Sequence, residues 1–332
     1  MRKVNLAVVG ATGMVGRTFL KVLEERDFPY ENLYLFASAK SAGEKVTCKG
    51  KEYIVEELTE ASFDRPMDIA LFSAGGDISK IFAPIAASKG VTVVDNSSAW
   101  RMEKDVPLVV PEVNPHDISW NKGIIANPNC STIQAVVALK PLHEAYGIKR
   151  IIYSTYQSVS GTGVKGVVDL EEGLKGNDLM KAYPHPIANN CLPHIDVFQE
   201  NGYTKEEMKM ILETQKIFGD YELKITATTV RVPIINCHSE SINVELEKSF
   251  ELKDIVALLN QSPGVVVQDD PGSNLYPLAR NAAGTDQVYV GRIRRDFSVE
   301  NGLNLWVVAD NIRKGAATNA VQIAELLVEG LQ

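Results

Sequence analysis

The sequence predicts an α/β protein, with a Rossmann-like doubly wound parallel sheet domain followed by an α+β catalytic and dimerisation domain on a mostly antiparallel or mixed sheet. Three observations carry this. Over the first third, short β-branched runs alternate with helical stretches, the rhythm of a parallel sheet with helices on both faces. A glycine-rich turn, Gly10-Ala-Thr-Gly13-Met-Val-Gly16, joins the first run to the first helix. Beyond Arg150 the strand-like segments lengthen and long polar connections separate them, which suits an open sheet of another kind.

Val4 to Val9, Leu33 to Ala37, Ile69 to Ser73 and Val91 to Val94 read as strands whose apolar residues run on rather than alternate, as expected where both faces are buried. Met14 to Glu25, with Val15, Phe19, Val22 and Leu23 on one face, and Ile78 to Lys89 read as the helices between them. A further helical run, carrying Ile133, Val136, Val137 and Ala138, follows immediately after Cys130. Arg150 to Gln157, Lys224 to Val232, Ser241 to Glu247 and Leu303 to Asp310 read as the strands of the second sheet, and Lys175 to Pro193 and Gln261 to Ala283 as long ordered loops. Few helices are expected between Arg150 and Asp310, so an apolar sheet face is left for a second copy of the chain to cover. The final stretch from Ala316 places Ala320, Ile323, Ala324 and Leu327 at helical spacing and is expected to pack back on the first domain. The boundaries drawn are 1–128, completed by 312–332, for a dinucleotide-binding domain and 129–311 for a catalytic and dimerisation domain.

At 332 residues, two domains of roughly 150 residues are expected. Hydrophobic residues at 45% and charged residues at 23% are ordinary globular usage and argue against disorder. Thirty-four Lys and Arg against forty-two Asp and Glu leave a charge of −8, which repels nucleic acid and anionic membranes. With no run of 18 apolar residues and no leader-like start, the expected location is the cytoplasm. Cys48, Cys130, Cys191 and Cys237 form no CxxC pair, so cysteine chemistry has to come from a single thiol and no metal ribbon is indicated.

The turn at Gly10, Gly13 and Gly16 lets backbone N–H groups at a helix start meet a pyrophosphate. The plain alternative is a tight turn without a ligand; the strand before and the helix after favour the nucleotide. A carboxylate for ribose hydroxyls is missing at the end of the second strand, where Ser38-Ala-Lys40-Ser41 stands, and two hydroxyls and a cation suit the 2′-phosphate of NADP over NAD. A second turn, Ser73-Ala-Gly75-Gly76, closes another strand on the side where ligands bind. Cys130, in Asn127-Pro-Asn129-Cys130-Ser131-Thr132, sits at a helix start, where the dipole favours thiolate. Cys48, Cys191 and Cys237 lack such a setting and read as packing residues. A thiol nucleophile needs a partner, and His238 follows an apolar run with Arg231 seven residues before it. An odd spacing puts the two on opposite faces of a strand, so a bend after Pro233 is needed if they share a site.

These motifs, in order and nearly end to end, resemble the aspartate-β-semialdehyde dehydrogenase family: GATGMVG, SSAWRM with DVPLVVPEVN, NPNCST, TYQSVSGTG, ETQKIFG, RVPIINCHSES, GRIRRD and ADNIRKGAATNAVQIAE. The resemblance implies that Cys130 is a nucleophile that becomes an acyl-thioester, that His238 is the general acid/base and that Gln157 orients the acyl group. Arg231 would pair with the substrate carboxylate, Arg101 and Lys216 with phosphate, and Asn129 and Glu213 would complete the pocket. Thr12, Gly13, Met14, Val15, Ser38, Lys40, Ser41, Ser160, Gly161 and Asn311 would contact NADP, beside Gly10, Ser73 and Gly75 of the two turns. The family's motif often has a small residue before the histidine, where this chain has Cys237. The implied reaction reduces L-aspartyl-4-phosphate to L-aspartate-4-semialdehyde and phosphate, reversibly and without a metal, in the biosynthesis of lysine, threonine, methionine and isoleucine. A homodimer is implied, with a tetramer as the alternative. The nearest rival, N-acetyl-γ-glutamyl-phosphate reductase, carries Gly-Cys-Tyr where this chain has Asn129-Cys130-Ser131. A cysteine hydrolase has no use for the glycine turn, and a nucleotide-sensing relative without activity is expected to lose Cys130, His238 or the cations.

Overall fold

The computed structural model describes residues 2–330. The chain divides into two compact units, with breaks between Asn129 and Cys130 and between Gly315 and Ala316, so the first unit is built from both ends of the chain.

The first unit begins β1 (Val4–Val9), α1 (Met14–Glu25), β2 (Tyr30–Ala37), then a hairpin of β3 (Lys45–Cys48) and β4 (Lys51–Ile54), and the two-residue β5 (Glu56–Glu57). It continues through β6 (Ile69–Phe72), α2 (Gly76–Ser88), β7 (Thr92–Asp95) and β8 (Ile124–Ala126). The sheet order is β5-β2-β1-β6-β7-β8, parallel throughout. The order reverses between β1 and β6, and ligands bind outside the carboxyl ends of strands at such a reversal. Leu6, Leu71 and Val93 are fully buried, which explains the unbroken apolar runs. The hairpin and the short β5 and β8 are additions to the strands expected from sequence.

The second unit opens with α3 (Cys130–Tyr146) and β9 (Ile148–Gln157), followed by α4 (Val164–Leu174), α5 (Lys205–Phe218), β10 (Lys224–Arg231) and β11 (His238–Leu246). It ends with α6 (Leu252–Gln261), β12 (Val265–Val267), α7 (Ala279–Ala282), β13 (Val288–Asp296) and β14 (Gly302–Ala309). Its sheet, ordered β10-β9-β11-β14-β13-β12, is mixed: the outer pairs β10/β9 and β13/β12 are parallel, and the inner pairs antiparallel. The sequence expectation of few helices here is corrected. α3 packs across β9, β11, β13 and β14, α5 against β10, and α6 against β12 and β13. The other face is less covered, with Tyr156 exposed beside a half-buried Trp306, their rings 5.6 Å apart. Gln261–Ala283 is not loop throughout, since it holds β12 and α7. β11, the third strand of this unit, starts at His238 rather than Ser241, which makes the histidine a strand residue.

The chain returns to the first unit as α8 (Thr318–Gly330). Ala320, Ile323, Ala324 and Val328 lie in one core with Leu6, Phe19 and Leu23, and Leu327 packs at its edge. Among the described residues no helix is long and apolar enough to cross a membrane.

Candidate active site

In the first unit the glycine turn lies at the carboxyl end of β1. Gly10 has φ +84°, and a Cβ there would lie 2.3 Å from the Ser73 carbonyl oxygen; one on Gly16 would lie 2.0 Å from the Gly10 oxygen. These two glycines are demanded by the fold itself. Gly13 is different: it caps α1 with φ −72°, is exposed, and a Cβ would meet only the Gly10 oxygen at 3.4 Å. An open glycine at a helix start, with no side chain accepting from the cap, fits the approach of a pyrophosphate. Thr12 Oγ1 donates to Ser41 Oγ at 3.3 Å and so ties this turn to the Ser38–Ser41 loop after β2. Ser38 and Lys40 are exposed there and Ser41 half-buried. Met14 and Val15 begin α1, and the exposed Gly75, at φ +87°, caps α2 next to Ser73. These residues suit a dinucleotide.

Arg101 and Asn129 also belong to this unit, after β7 and β8, and both are buried. Arg101 donates from Nε to the Asn127 carbonyl and from Nη2 to the Asn96 carbonyl, each at 3.0 Å, which holds its guanidinium at the carboxyl ends of the strands.

In the second unit, register gathers the candidate side chains at one end of the sheet. Arg231 pairs with Gln157 across β10 and β9, His238 with Ala309 across β11 and β14, and Asn311 follows two residues on. The reversal needed between Arg231 and His238 is present. Val232 to Cys237 cross the end of β9, where Val159 N–H donates to Ile234 O at 2.8 Å and Ser160 N–H to Ile235 O at 3.1 Å. The histidine therefore opens a new strand instead of following an apolar one. Cys130 is the first residue of α3 and half-buried. One turn on, and on the same helix face, Gln134 donates to the His238 carbonyl at 3.3 Å.

Around His238 the contacts are dense. Its ring is fully buried, and Nδ1 accepts from the Ser158 N–H at 3.0 Å, while Nε2 has no partner. Arg231 donates from Nη1 to the Ser158 carbonyl at 2.5 Å. A Cβ on Gly161 would lie 2.9 Å from Arg231 Nη1 and 3.4 Å from His238 Nε2, so both groups face this glycine. Burial, then the neighbouring Arg231 charge, pushes the imidazole down to about 3, so it is neutral at physiological pH. Gln157, also buried, donates to Glu206 Oε1 at 3.3 Å, and Glu206 is paired with Lys209 at 2.9 Å. Glu213 and Lys216 lie on α5, the former buried and the latter half-buried. Asn311 Oδ1 accepts from Cys237 N–H at 2.9 Å and from Ser158 Oγ at 3.0 Å, and its Nδ2 donates to Ser160 Oγ at 3.0 Å.

Cys237 stands at φ +71°, a conformation that a small or flexible residue adopts most readily. Burial pushes its thiol well up, so it stays protonated and inert. Cys48 is buried, Cys191 is exposed, and none of the four cysteines is in a disulfide among the described residues. Among the described residues no three His, Cys, Asp or Glu side chains cluster to hold a metal.

Sequence reasoning missed Ser158, Glu206, Gln134 and Glu240. Ser158 lies inside the TYQSVSGTG segment, whose polar run after a strand was a usable signal; nothing in local spacing marks the others. Glu240 is fully buried with neither carboxylate oxygen partnered, and burial holds its carboxyl well above the usual range.

Fold and comparisons agree first on a class. Residues 5–121 match the family described as semialdehyde dehydrogenase, NAD binding domain, and residues 139–314 match semialdehyde dehydrogenase, dimerisation domain. The chain is 59% identical to the aspartate-semialdehyde dehydrogenase of Aquifex aeolicus, covering 98% of this chain and 99% of that one, and 54% identical to that of Legionella pneumophila, covering 98% and 96%. Aspartate semialdehyde dehydrogenase II from Vibrio cholerae complexed with ASA superposes with a TM-score of 0.96 at 49% identity, over 99% of both chains. The aspartate semialdehyde dehydrogenase of Candida albicans with NADP does so with a TM-score of 0.79 at 28% identity, over 98% of both chains. The chain belongs to the aspartate-semialdehyde dehydrogenase family.

Proposed function

We propose that the chain catalyses the reversible, NADP-dependent reduction of L-aspartyl-4-phosphate to L-aspartate-4-semialdehyde and phosphate, through an acyl-thioester on Cys130. It would do so in the cytoplasm, as a step in making lysine, threonine, methionine and isoleucine. The observation that carries this reading is the second unit's sheet end, where Arg231 and the bare Nε2 of His238 flank Gly161 and the His238 carbonyl meets Gln134, one turn into the Cys130 helix.

Cys130 supplies the nucleophile, favoured as thiolate by the α3 N-terminus. Its sulfur adds to the acyl carbon, and the C–O bond to phosphate breaks to leave the thioester. Arg231, already fixed by the Ser158 carbonyl, presents its remaining donors to the substrate carboxylate. Arg101 and Lys216 take the phosphate, with Asn129 and Glu213 completing the pocket, and Gln157 orients the acyl group from its place on Glu206. NADP would rest on Gly10, Thr12, Gly13, Met14 and Val15, with Ser38, Lys40 and Ser41 at its 2′-phosphate and Ser73, Gly75, Ser160, Gly161 and Asn311 as further contacts. When bound in reduced form it supplies the hydride that turns the thioester into the aldehyde. His238 acts on the substrate oxygen at the tetrahedral stage. The less covered sheet face, with Tyr156 and Trp306, supports assembly as a homodimer.

The test is phosphate-dependent reduction of NADP by aspartate semialdehyde, with N-acetylglutamate semialdehyde as the competing substrate. Activity with the former alone is expected. Cys130→Ala should abolish turnover yet bind NADPH normally in a fluorescence titration. Substantial turnover by this variant, or preference for the acetylated substrate, would overturn the proposal.

A further inference from the structure

The long loop from Lys175 to Pro193 lies on α4 and pairs with Arg231 near its end. Gly166 and Gly173 stand on α4 seven residues apart, and so on one face. Both make room for the loop: a Cβ on Gly166 would lie 2.5 Å from the Tyr183 hydroxyl, and one on Gly173 2.7 Å from the Ala188 Cβ. Between them the buried Asp169 accepts from the Ala182 N–H at 2.7 Å. The Tyr183 hydroxyl donates to Thr162 Oγ1 at 3.0 Å, with the Val159 carbonyl 3.4 Å away. Its ring is buried and packs with Val159, Leu170, Ile187 and Leu192. Leu192 and Arg231 exchange both backbone hydrogen bonds, at 2.9 and 2.8 Å.

The loop therefore holds Arg231 twice. Besides the backbone pairing, the guanidinium carbon lies over the Tyr183 ring, 5.9 Å from its centre, within reach of a cation–π attraction. Burial raises the Tyr183 hydroxyl above the usual phenol range, so the ring stays neutral and meets the cation with its π-face. One corner of the guanidinium is fixed as well: Nη1 donates to the Ser158 carbonyl, and a Cβ on Gly161 would lie 2.9 Å from the same nitrogen. Nη1 is the nitrogen on the Cδ side, which leaves the edge formed by Nε and Nη2. Nε is buried and has no partner among the described residues. A carboxylate takes two parallel N–H bonds only from an edge whose plane is correctly tilted. A single hydrogen bond at Nη1 lets the plane rock about it, and a ring across its face removes that freedom.

We propose that Tyr183 is a positioning residue for the substrate carboxylate: anchored on Thr162 and seated over Gly166, it holds the Arg231 guanidinium at the tilt that turns its Nε–Nη2 edge to the substrate. The assignment rests on the functional reading above, in which Arg231 takes that carboxylate. It gives the loop from Lys175 to Pro193 a part in substrate recognition without contact with the reacting atoms.

The experiment uses the full-length protein, with aspartate semialdehyde, phosphate and NADP varied in turn. Tyr183→Leu keeps apolar bulk in the cluster and removes the π-face, whereas Tyr183→Phe keeps the face. In Tyr183→Leu the KM for aspartate semialdehyde should rise about fivefold or more, on the scale of a cation–π contact. Its kcat and its KM for phosphate and NADP should stay within about twofold, because a contact to the carboxylate acts alike before and in the transition state. Tyr183→Phe should recover most of the loss. A tyrosine with a merely structural role would move these constants together or not at all, and either result would overturn the proposal. In an Arg231→Lys background there is no plane to hold, so adding Tyr183→Leu should cost less than about twofold in kcat/KM; losses that multiply would show that Tyr183 does not act through Arg231. A further readout needs no substrate. In protein labelled with nitrogen-15 in arginine, the Arg231 Nε–H resonance, identified by its loss in Arg231→Lys, should move downfield in Tyr183→Leu as the ring current disappears and stay in place in Tyr183→Phe. An unmoved resonance in Tyr183→Leu would overturn the proposal. A parent protein inactive on aspartate semialdehyde would count against the functional reading, and the resonance would still decide whether Tyr183 holds Arg231.

Discussion

Alanine at Gly16 and at Gly13 should have opposite consequences, and the pair separates what the glycine turn does for the fold from what it does for the cofactor. At Gly16 the added methyl would lie 2.0 Å from the Gly10 oxygen and 2.8 Å from its carbon, both backbone atoms. Neither can step aside without moving the turn away from β6, because Gly10 itself abuts the Ser73 carbonyl. Forced overpacking costs about 1–3 kcal/mol and more where backbone is struck, so about 3 kcal/mol is expected, a fall in melting temperature of roughly 6–12 °C. At Gly13 the nearest atom is 3.4 Å away and φ −72° suits alanine. Losing glycine at the cap costs up to about 1 kcal/mol, and the stiffer unfolded chain returns about 0.4–1 kcal/mol, so stability should hardly change. The methyl would stand where the pyrophosphate approaches, and NADPH affinity should fall about tenfold or more, equivalent to about 1.4 kcal/mol. Thermal unfolding and NADPH fluorescence titration of both variants check this. Unimpaired binding by Gly13→Ala, or a Gly16→Ala protein that melts with the parent, would refute the division of labour.

Ser38→Asp should weaken NADPH more than NADH by repelling the 2′-phosphate; equal losses in a titration would remove the loop from cofactor choice. Arg231→Lys keeps the charge but loses the planar fork, at about 1.5–3 kcal/mol, so KM for aspartate semialdehyde should rise about tenfold or more. Arg101→Leu should chiefly raise KM for phosphate, and the reverse pattern in steady-state kinetics would exchange the two anion sites. Glu240 is held protonated in the fold but ionises freely when unfolded, so stability is full below about pH 4.5 and declines as pH rises through the folded value. Glu240→Gln should remove that decline and unfold at higher urea than the parent at pH 8, whereas parallel pH profiles would exclude the buried proton. Sedimentation should find a dimer at micromolar concentration, and a stable, active monomer would rule out assembly through the Tyr156 and Trp306 face.

The local elements were open to reading because they repeat with a short period. β1 and α1 run over Val4–Val9 and Met14–Glu25 as the apolar runs and helical spacing indicate, since burial on both faces or on one stripe leaves a periodic record. Cys130 was recognisable from its place at a helix start, a signal contained within a few neighbouring residues. Helices α4 to α7 left weaker traces among long polar connections, and the sheet's cover was misjudged as a result.

By itself the sequence determined the α/β class, the glycine turn at the end of the first strand and the chemical types of the candidate reacting side chains, all of which rest on contacts between residues close in the chain. Only the tertiary structure decided which glycine is left open to a ligand, because the clashes at Gly10 and Gly16 come from backbone folded against them, that at Gly10 from a distant strand. It alone brought Arg231 to His238, through a crossing over the end of β9 that no spacing rule encodes. The surroundings of His238 also belong to that level, since Ser158, 80 residues earlier in the chain, supplies a donor to its Nδ1 only once the strands have paired.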